Sequence, residues 1–479
     1  MTVAQRWKES QAWEWYNRSG WRQGCNFLPS TAANQLEMFS SELDSDTIHR
    51  ELKWASDLNY NAVRVFLHNL LYKKDGKRDF FEKIEHFLSI ADRHGIKTML
   101  VLFDGCWDPL PEYPIPADKK HVYSRVHNSR WVQAPGRKIL EMANSTEQEM
   151  LLKPYVTSVV SHFGNDSRIL LIDLFNEPDS TNGDFYGTKG KRIPTTREAY
   201  GKELSPGEKY DAVSNLIPRI FHWARSVGPI EVPLTVAIYG NDYNHKMVLR
   251  NKLHDWYLSH SDVISFHNYQ AFNKGMQKQV EFLLSSDQYG NRPIICSEYM
   301  SRTTGSTFSP ILGYLYSKNI WAFNWGLVAG RMQTQYPWDS WNRIYKIEPD
   351  PWHHDVLFPN GTPYSREEEL YFHTYRQQER GMDQETQYSK NNIFKAPSAN
   401  ITKQGERRNI ITHQGVIFSP RIFTFTVESQ LYAAKVEACI AFSVVGSLSL
   451  VALLLARFRA KSPTGKMLTK NKQTVLSDH

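Results

Sequence analysis

Apolar positions along this chain fall into two alternating patterns. Short runs in which nearly every position is apolar recur at residues 24–28, 62–66, 98–103, 169–175, 234–238, 263–267, 293–296 and 320–324. Between them lie stretches at 47–58, 80–94, 150–163 and 210–227 whose apolar positions recur every three or four residues. That second spacing lays one apolar stripe along a helix. Near-continuous apolar runs separated by helices predict a parallel sheet buried on both faces. Eight such units predict a closed (β/α)8 TIM barrel within residues 1–380, with a helical stretch at 366–380 closing it. No internal repeat of solenoid type accompanies the pattern.

In a barrel of this kind the chemistry gathers where strands end. Arg64, Asp104, Asn176, Glu177, His267, Tyr269, Glu298 and Trp325 all fall at or near such ends. Two of them are glutamates, each placed where an apolar run gives way to a loop. One carboxyl held protonated and one held ionised can together cleave a glycosidic bond through a covalent intermediate. The loops on that side are long. Residues 105–136 include Trp107, His121, His127 and Trp131, and predict a cleft wall. Residues 179–197 are rich in Gly, Thr and charge, and 331–352 carry Trp338, Trp341 and Trp352 as a further wall or a packed cap.

These motifs resemble glycoside hydrolase family 5, within the clan of retaining glycosidases built on TIM barrels. The matching residues are Asn176-Glu177-Pro178, His267-Asn268-Tyr269, Ser297-Glu298-Tyr299 and Asn324-Trp325-Gly326. Residues 24–30 and 333–339 also look like a bacterial-type subgroup described as xylanase- or cellulase-like, and the resemblance spans about 21–375. It implies that Glu177 is the acid/base and Glu298 the nucleophile, with the carboxyls roughly 5 Å apart. Asn176 is then placed to hydrogen-bond the sugar 2-hydroxyl. His267 and Tyr269, two apart on a strand, can point to one side, and the Tyr269 hydroxyl can donate to Glu298. Arg64 is a charge inside an apolar run and is costly there unless paired. Its obvious partner is Glu298; an ion pair elsewhere in the barrel floor is the alternative. Trp325 is the expected stacking platform for the sugar, and Asp104, His127 and Trp131 are candidates for outer subsites.

Charge and composition change this picture little within the barrel. Of 57 basic and 50 acidic residues, giving +7, much of the surplus lies in Arg457, Arg459, Lys461, Lys466, Lys470 and Lys472. The other charges are interspersed, which argues against a nucleic-acid surface. Cys25, Cys106, Cys296 and Cys439 read as buried thiols rather than a disulfide framework. No metal-ligand spacing stands out, and the adjacent His353 and His354 are expected to face apart in a loop or cap. No phosphate loop and no serine nucleophile elbow is present. The reading therefore needs no cofactor beyond water.

The C-terminal part predicts a different organisation. Residues 438–456 carry no charge, and at 1.5 Å per residue they reach about 28 Å, one hydrocarbon core. They predict a single transmembrane helix, preceded by a stalk at 381–437 and followed by a basic cytoplasmic tail at 457–479. The barrel then lies on the extracellular or lumenal side. Residues 1–20 are polar and contain no signal peptide, so either a leader precedes Met1 or the chain is tail-anchored with its barrel in the cytosol. Sequons at Asn17, Asn144, Asn165, Asn360 and Asn400 fit the first topology. The function expected is hydrolysis of a β-linked polysaccharide or glycoconjugate. A catalytically silent carbohydrate-binding receptor and a transglycosylase are the alternatives the same residues allow.

Overall fold

The computed structural model describes residues 5–40, 43–74, 76–182, 204–239 and 248–375. Eight strands form a closed barrel in chain order: β1 (Gln23–Asn26), β2 (Ala62–Phe66), β3 (Lys97–Val101), β4 (Ile169–Asn176), β5 (Leu234–Ile238), β6 (Ile264–Asn268), β7 (Ile294–Tyr299) and β8 (Trp321–Trp325). Every neighbouring pair is parallel, including β1 with β8. This is the TIM barrel that the apolar runs predict, with strand boundaries shifted by at most three residues. Its strands are buried on both faces, which is why they read as continuous apolar runs rather than alternating ones.

The periodic stretches form the helices Ser45–Asp57, Gly76–Arg93, Ser145–Phe163 and Pro206–Arg225. Their starts are set by side chains that satisfy otherwise unpaired N–H groups. Asp44 accepts from the Thr47 N–H, Asn144 from those of Thr146 and Glu147, and Ser205 forms a capping box with Glu208 ahead of Pro206. The helix Phe308–Ser317 escapes periodicity because Pro310 and Gly313 interrupt its buried Phe308, Ile311, Leu312 and Leu315. Helix Glu9–Ser19 packs at the N-terminal end of the barrel, where Tyr16 stacks on Trp321 at 4.9 Å. Residues 366–375 are helical, and Phe372 packs against Tyr60 and Phe308.

The register is irregular at the C-terminal ends of three strands. Pairing shifts between Asp173 and Asn176 in β4, between Phe266 and His267 in β6, and between Cys296 and Tyr299 in β7. Such bulges re-aim side chains at a barrel rim. They occur here on the three strands that carry Asn176, His267 and Glu298.

Among the described residues no helix is long and apolar enough to cross a membrane. The predicted stalk at 381–437, the apolar span at 438–456 and the basic tail at 457–479 all lie outside the described residues, as does most of the 179–197 loop.

Candidate active site

The strand ends converge on a buried network centred on Arg64. Its side chain has no exposure, and a lone guanidinium there would be strongly disfavoured. Four acceptors surround it. Nη1 donates to Glu298 Oε1 at 2.7 Å and Asn26 Oδ1 at 2.8 Å, while Nη2 donates to Asp173 Oδ2 at 2.6 Å and Asn176 Oδ1 at 2.7 Å. The expected partner Glu298 is present, and Asp173 is a second one. Asp173 had a readable signal in the sequence: it is an acid in the middle of the apolar run that forms β4.

Glu298 sits on β7, opposite His267 in the register of β6. Its Oε2 accepts from the Tyr269 hydroxyl at 2.7 Å and lies 3.5 Å from His267 Nδ1. Burial pushes this carboxyl above the usual carboxylate range; His267, Arg64 and the Tyr269 hydroxyl oppose that push. Burial also pushes His267 down to about 4, so its charge is lost by neutral pH and Arg64 is the permanent cation beside Glu298. Desolvation outweighs the lowering by Arg64.

Glu177 follows β4 with φ at +42°, a left-handed conformation costly for a residue with a side chain. The strain is held by packing. Its N–H donates to Ala237 O at 3.0 Å, and a side chain at Gly105 would meet the Glu177 carbonyl oxygen at 2.2 Å. Glu177 Oε1 lies 2.6 Å from His267 Nδ1, and Oε2 accepts from the Cys106 thiol at 3.1 Å. Cys106, read from sequence only as a buried thiol, is thus a direct neighbour of this carboxylate. No apolar period or spacing marks such a contact. Carboxylate oxygens of Glu177 and Glu298 and a ring nitrogen of His267 lie within 4.8 Å of one another.

Asn176 is fixed from both sides. Its carbonyl accepts from Arg64, and its amide donates to Asp104 Oδ1 at 2.9 Å. Asp104 also accepts from Trp131 Nε1 at 2.5 Å, and burial raises it to about 6. Trp131 in turn packs edge-on against Trp325 at 5.5 Å. A cleft of about 200 Å³ opens above this network, lined by Asp104, Cys106, Asn176, Glu177, Tyr269, Glu298 and Trp325 at or just past strand ends and by Trp131 from the loop after β3. Trp107, His127, Tyr239, Trp338 and His354 wall it. Arg64 does not line the cleft, and His267 is fully buried. Both reach the carboxylates, and His267 also lines a second pocket with Tyr239, Tyr269 and Trp338. The 331–352 segment serves both expected ends: Trp338 faces the cleft, while Trp341 is buried and stacks on Trp107 at 5.4 Å.

The rings of His353 and His354, expected to face apart, lie with centroids 4.1 Å apart. His127 joins them at 5.5 and 5.3 Å. The contribution of a residue more than two hundred positions away could not be read from local spacing.

No curated protein matches the chain by sequence. Among solved structures it is similar to a GH5_18 protein from Bifidobacterium longum (12% identity, 74% of this chain and 79% of that one, TM-score 0.49). It is similar also to a GH5_18 protein from Streptomyces cattleya in complex with GlcNAc (11%, 74% and 81%, TM-score 0.46) and a β-mannanase from the blue mussel Mytilus edulis (16%, 67% and 90%, TM-score 0.43). The family model "Cellulase (glycosyl hydrolase family 5)" matches residues 30–336, more than half of the chain. With that match spanning β2 to β8 and the loop after them, the chain belongs to glycosyl hydrolase family 5 and is a glycosidase.

Proposed function

We propose that the protein cleaves a β-linked polysaccharide or glycoconjugate with retention of configuration, using Glu298 as nucleophile and Glu177 as acid/base. The observation that carries this reading is the spacing of the two carboxylates, whose oxygens lie within 4.8 Å. Inverting enzymes need a wider gap, since a water must fit between carboxylate and sugar.

In the first step the Glu298 carboxylate attacks the anomeric carbon as the bond to the leaving oxygen breaks. Glu177 delivers its proton to that oxygen. In the second step Glu177, now ionised, takes a proton from water, whose oxygen displaces Glu298 from the anomeric carbon. Both residues return to their starting states. Arg64 and the Tyr269 hydroxyl, each 2.7 Å from a different oxygen of Glu298, favour the ionised nucleophile and fix its plane. The neutral His267 beside Glu177 puts no cation there to strip the acid of its proton. The Asn176 amide donates to Asp104 and lies 4.0 Å from the Cys106 sulfur, and Asn176 and Trp325 both line the cleft where the sugar would bind. Anchoring through 438–456, with the barrel outside the cytoplasm, completes the reading.

The test is turnover of a panel of β-mannans, β-glucans, xylans and glycolipids, with the anomeric configuration of the first product followed by proton NMR. The reading expects the β anomer before mutarotation. An α anomer first would overturn it; tight sugar binding with no turnover on any member would favour the silent receptor.

A further inference from the structure

We infer that His127, His353 and His354 form a binding site for a borderline divalent transition-metal ion of the zinc class at the wall of the cleft. All three are buried, and each can offer a ring nitrogen within 4.8 Å of the other two. They come from two segments: His127 from the loop after β3, His353 and His354 from the one after β8.

The hydrogen bonds around the rings favour metal ligation. His127 Nδ1 lies 2.8 Å from Tyr336 O, and His354 Nδ1 lies 2.6 Å from Met300 O. A carbonyl accepts only, so both Nδ1 atoms carry the hydrogen and both Nε2 atoms carry the lone pair. His353 Nδ1 lies 2.6 Å from the Thr303 hydroxyl, which can accept in the same way. His353 also has Ser301 Oγ at 3.3 Å from Nδ1 and 3.4 Å from Nε2. Pinning one ring nitrogen to an oxygen, as in His127 and His354, is how proteins orient histidine ligands.

Arg302, which reaches the backbone of this segment, is turned to other work. Its Nη1 donates to the carbonyls of Trp352, His354 and Asp355, and Nη2 pairs with Glu368 at 2.6 Å. It braces the segment that presents the histidines, with its charge compensated.

Three imidazoles leave a fourth coordination position, as in zinc sites that bind water or substrate. His127 and His354 line the cleft beside Tyr269 and Trp338, so that position opens toward bound sugar.

The test uses the full chain without a polyhistidine tag, stripped with a chelator and dialysed against zinc or cobalt. One ion per chain at micromolar free zinc is expected, with the visible bands of tetrahedral cobalt and a higher melting temperature. His353→Phe and His127→Gln should each weaken binding by at least about tenfold; Glu298→Gln should leave it unchanged. Melting curves show which variants fold, and either histidine variant suffices. Absence of binding, or binding that survives both histidine changes, overturns the site. Loss of binding in Glu298→Gln would place the metal at the Glu177–His267–Glu298 cluster instead and overturn it equally.

Discussion

The ends of β4 and β7 each present one glutamate to the same cleft, and the two are held in opposite ways. Glu298 lies within a strand, with a buried guanidinium on one oxygen and a tyrosine hydroxyl on the other. Glu177 lies just past its strand at positive φ, with a neutral imidazole and a thiol for neighbours. Donors that cannot give up their proton near neutral pH favour a permanent anion. On the proposed mechanism the Glu177 carboxyl must instead gain and lose a proton in each cycle. Two identical side chains are thereby directed to different tasks by what surrounds them.

The sharpest way to break this comparison is to neutralise one side of it. Glu298→Gln keeps the shape and should lower kcat by at least about 10⁴-fold, with sugar binding and the melting temperature little changed. An effect of only a few-fold would remove Glu298 from the bond-forming step.

Glu177→Ala should cost about 10²- to 10⁴-fold on substrates with poor leaving groups, and much less on aryl glycosides that need no proton. Azide should then restore turnover and yield a β-glycosyl azide, because a small anion can take the place of the water that Glu177 activates. A product profile without that azide would count against the acid/base role.

Tyr269→Phe removes one of the two donors to Glu298 while leaving Arg64. A hydrogen bond to a charged group contributes roughly 1.5–3 kcal/mol, so kcat/KM should fall about 10- to 150-fold. The acidic limb of its pH profile should move upward, since the ionised form of Glu298 loses support. An unshifted limb would mean that the hydroxyl does not act through the carboxylate.

Cys106→Ala should have the smallest effect, a change of about tenfold at most, because a thiol is a weak donor. It should shift the basic limb of the profile, the one set by Glu177, and leave the acidic limb in place. A shift confined to the acidic limb would reverse the assignment of limbs to carboxylates.

Much of this organisation is legible in the chain. Buried parallel strands leave continuous apolar runs, so the eight runs and the helical stretches between them predict the barrel. Charged or polar residues that interrupt or end such runs, as Arg64, Glu177 and Glu298 do, announce the site because burial of a charge demands a partner. The partners themselves are harder to read. Asp173 is visible as an acid in an apolar strand, but nothing local ties it to Arg64 across the barrel. Cys106 meets Glu177 only because Gly105 lets two loops approach within a carbonyl's width. His127 meets His353 and His354 through the folding of two long loops, which no periodicity describes.

The central claim is that Glu298, and not Glu177, becomes covalently bonded to sugar. It is tested most directly with 2,4-dinitrophenyl 2-deoxy-2-fluoro-β-glycosides of the gluco, manno and xylo series, whose fluorine slows release of the intermediate more than its formation. The account predicts a stable adduct in intact mass, mapped after proteolysis to Glu298, and absent from Glu298→Gln. An adduct on Glu177, or an enzyme that turns over sugar yet is never labelled by the matching reagent, would contradict it.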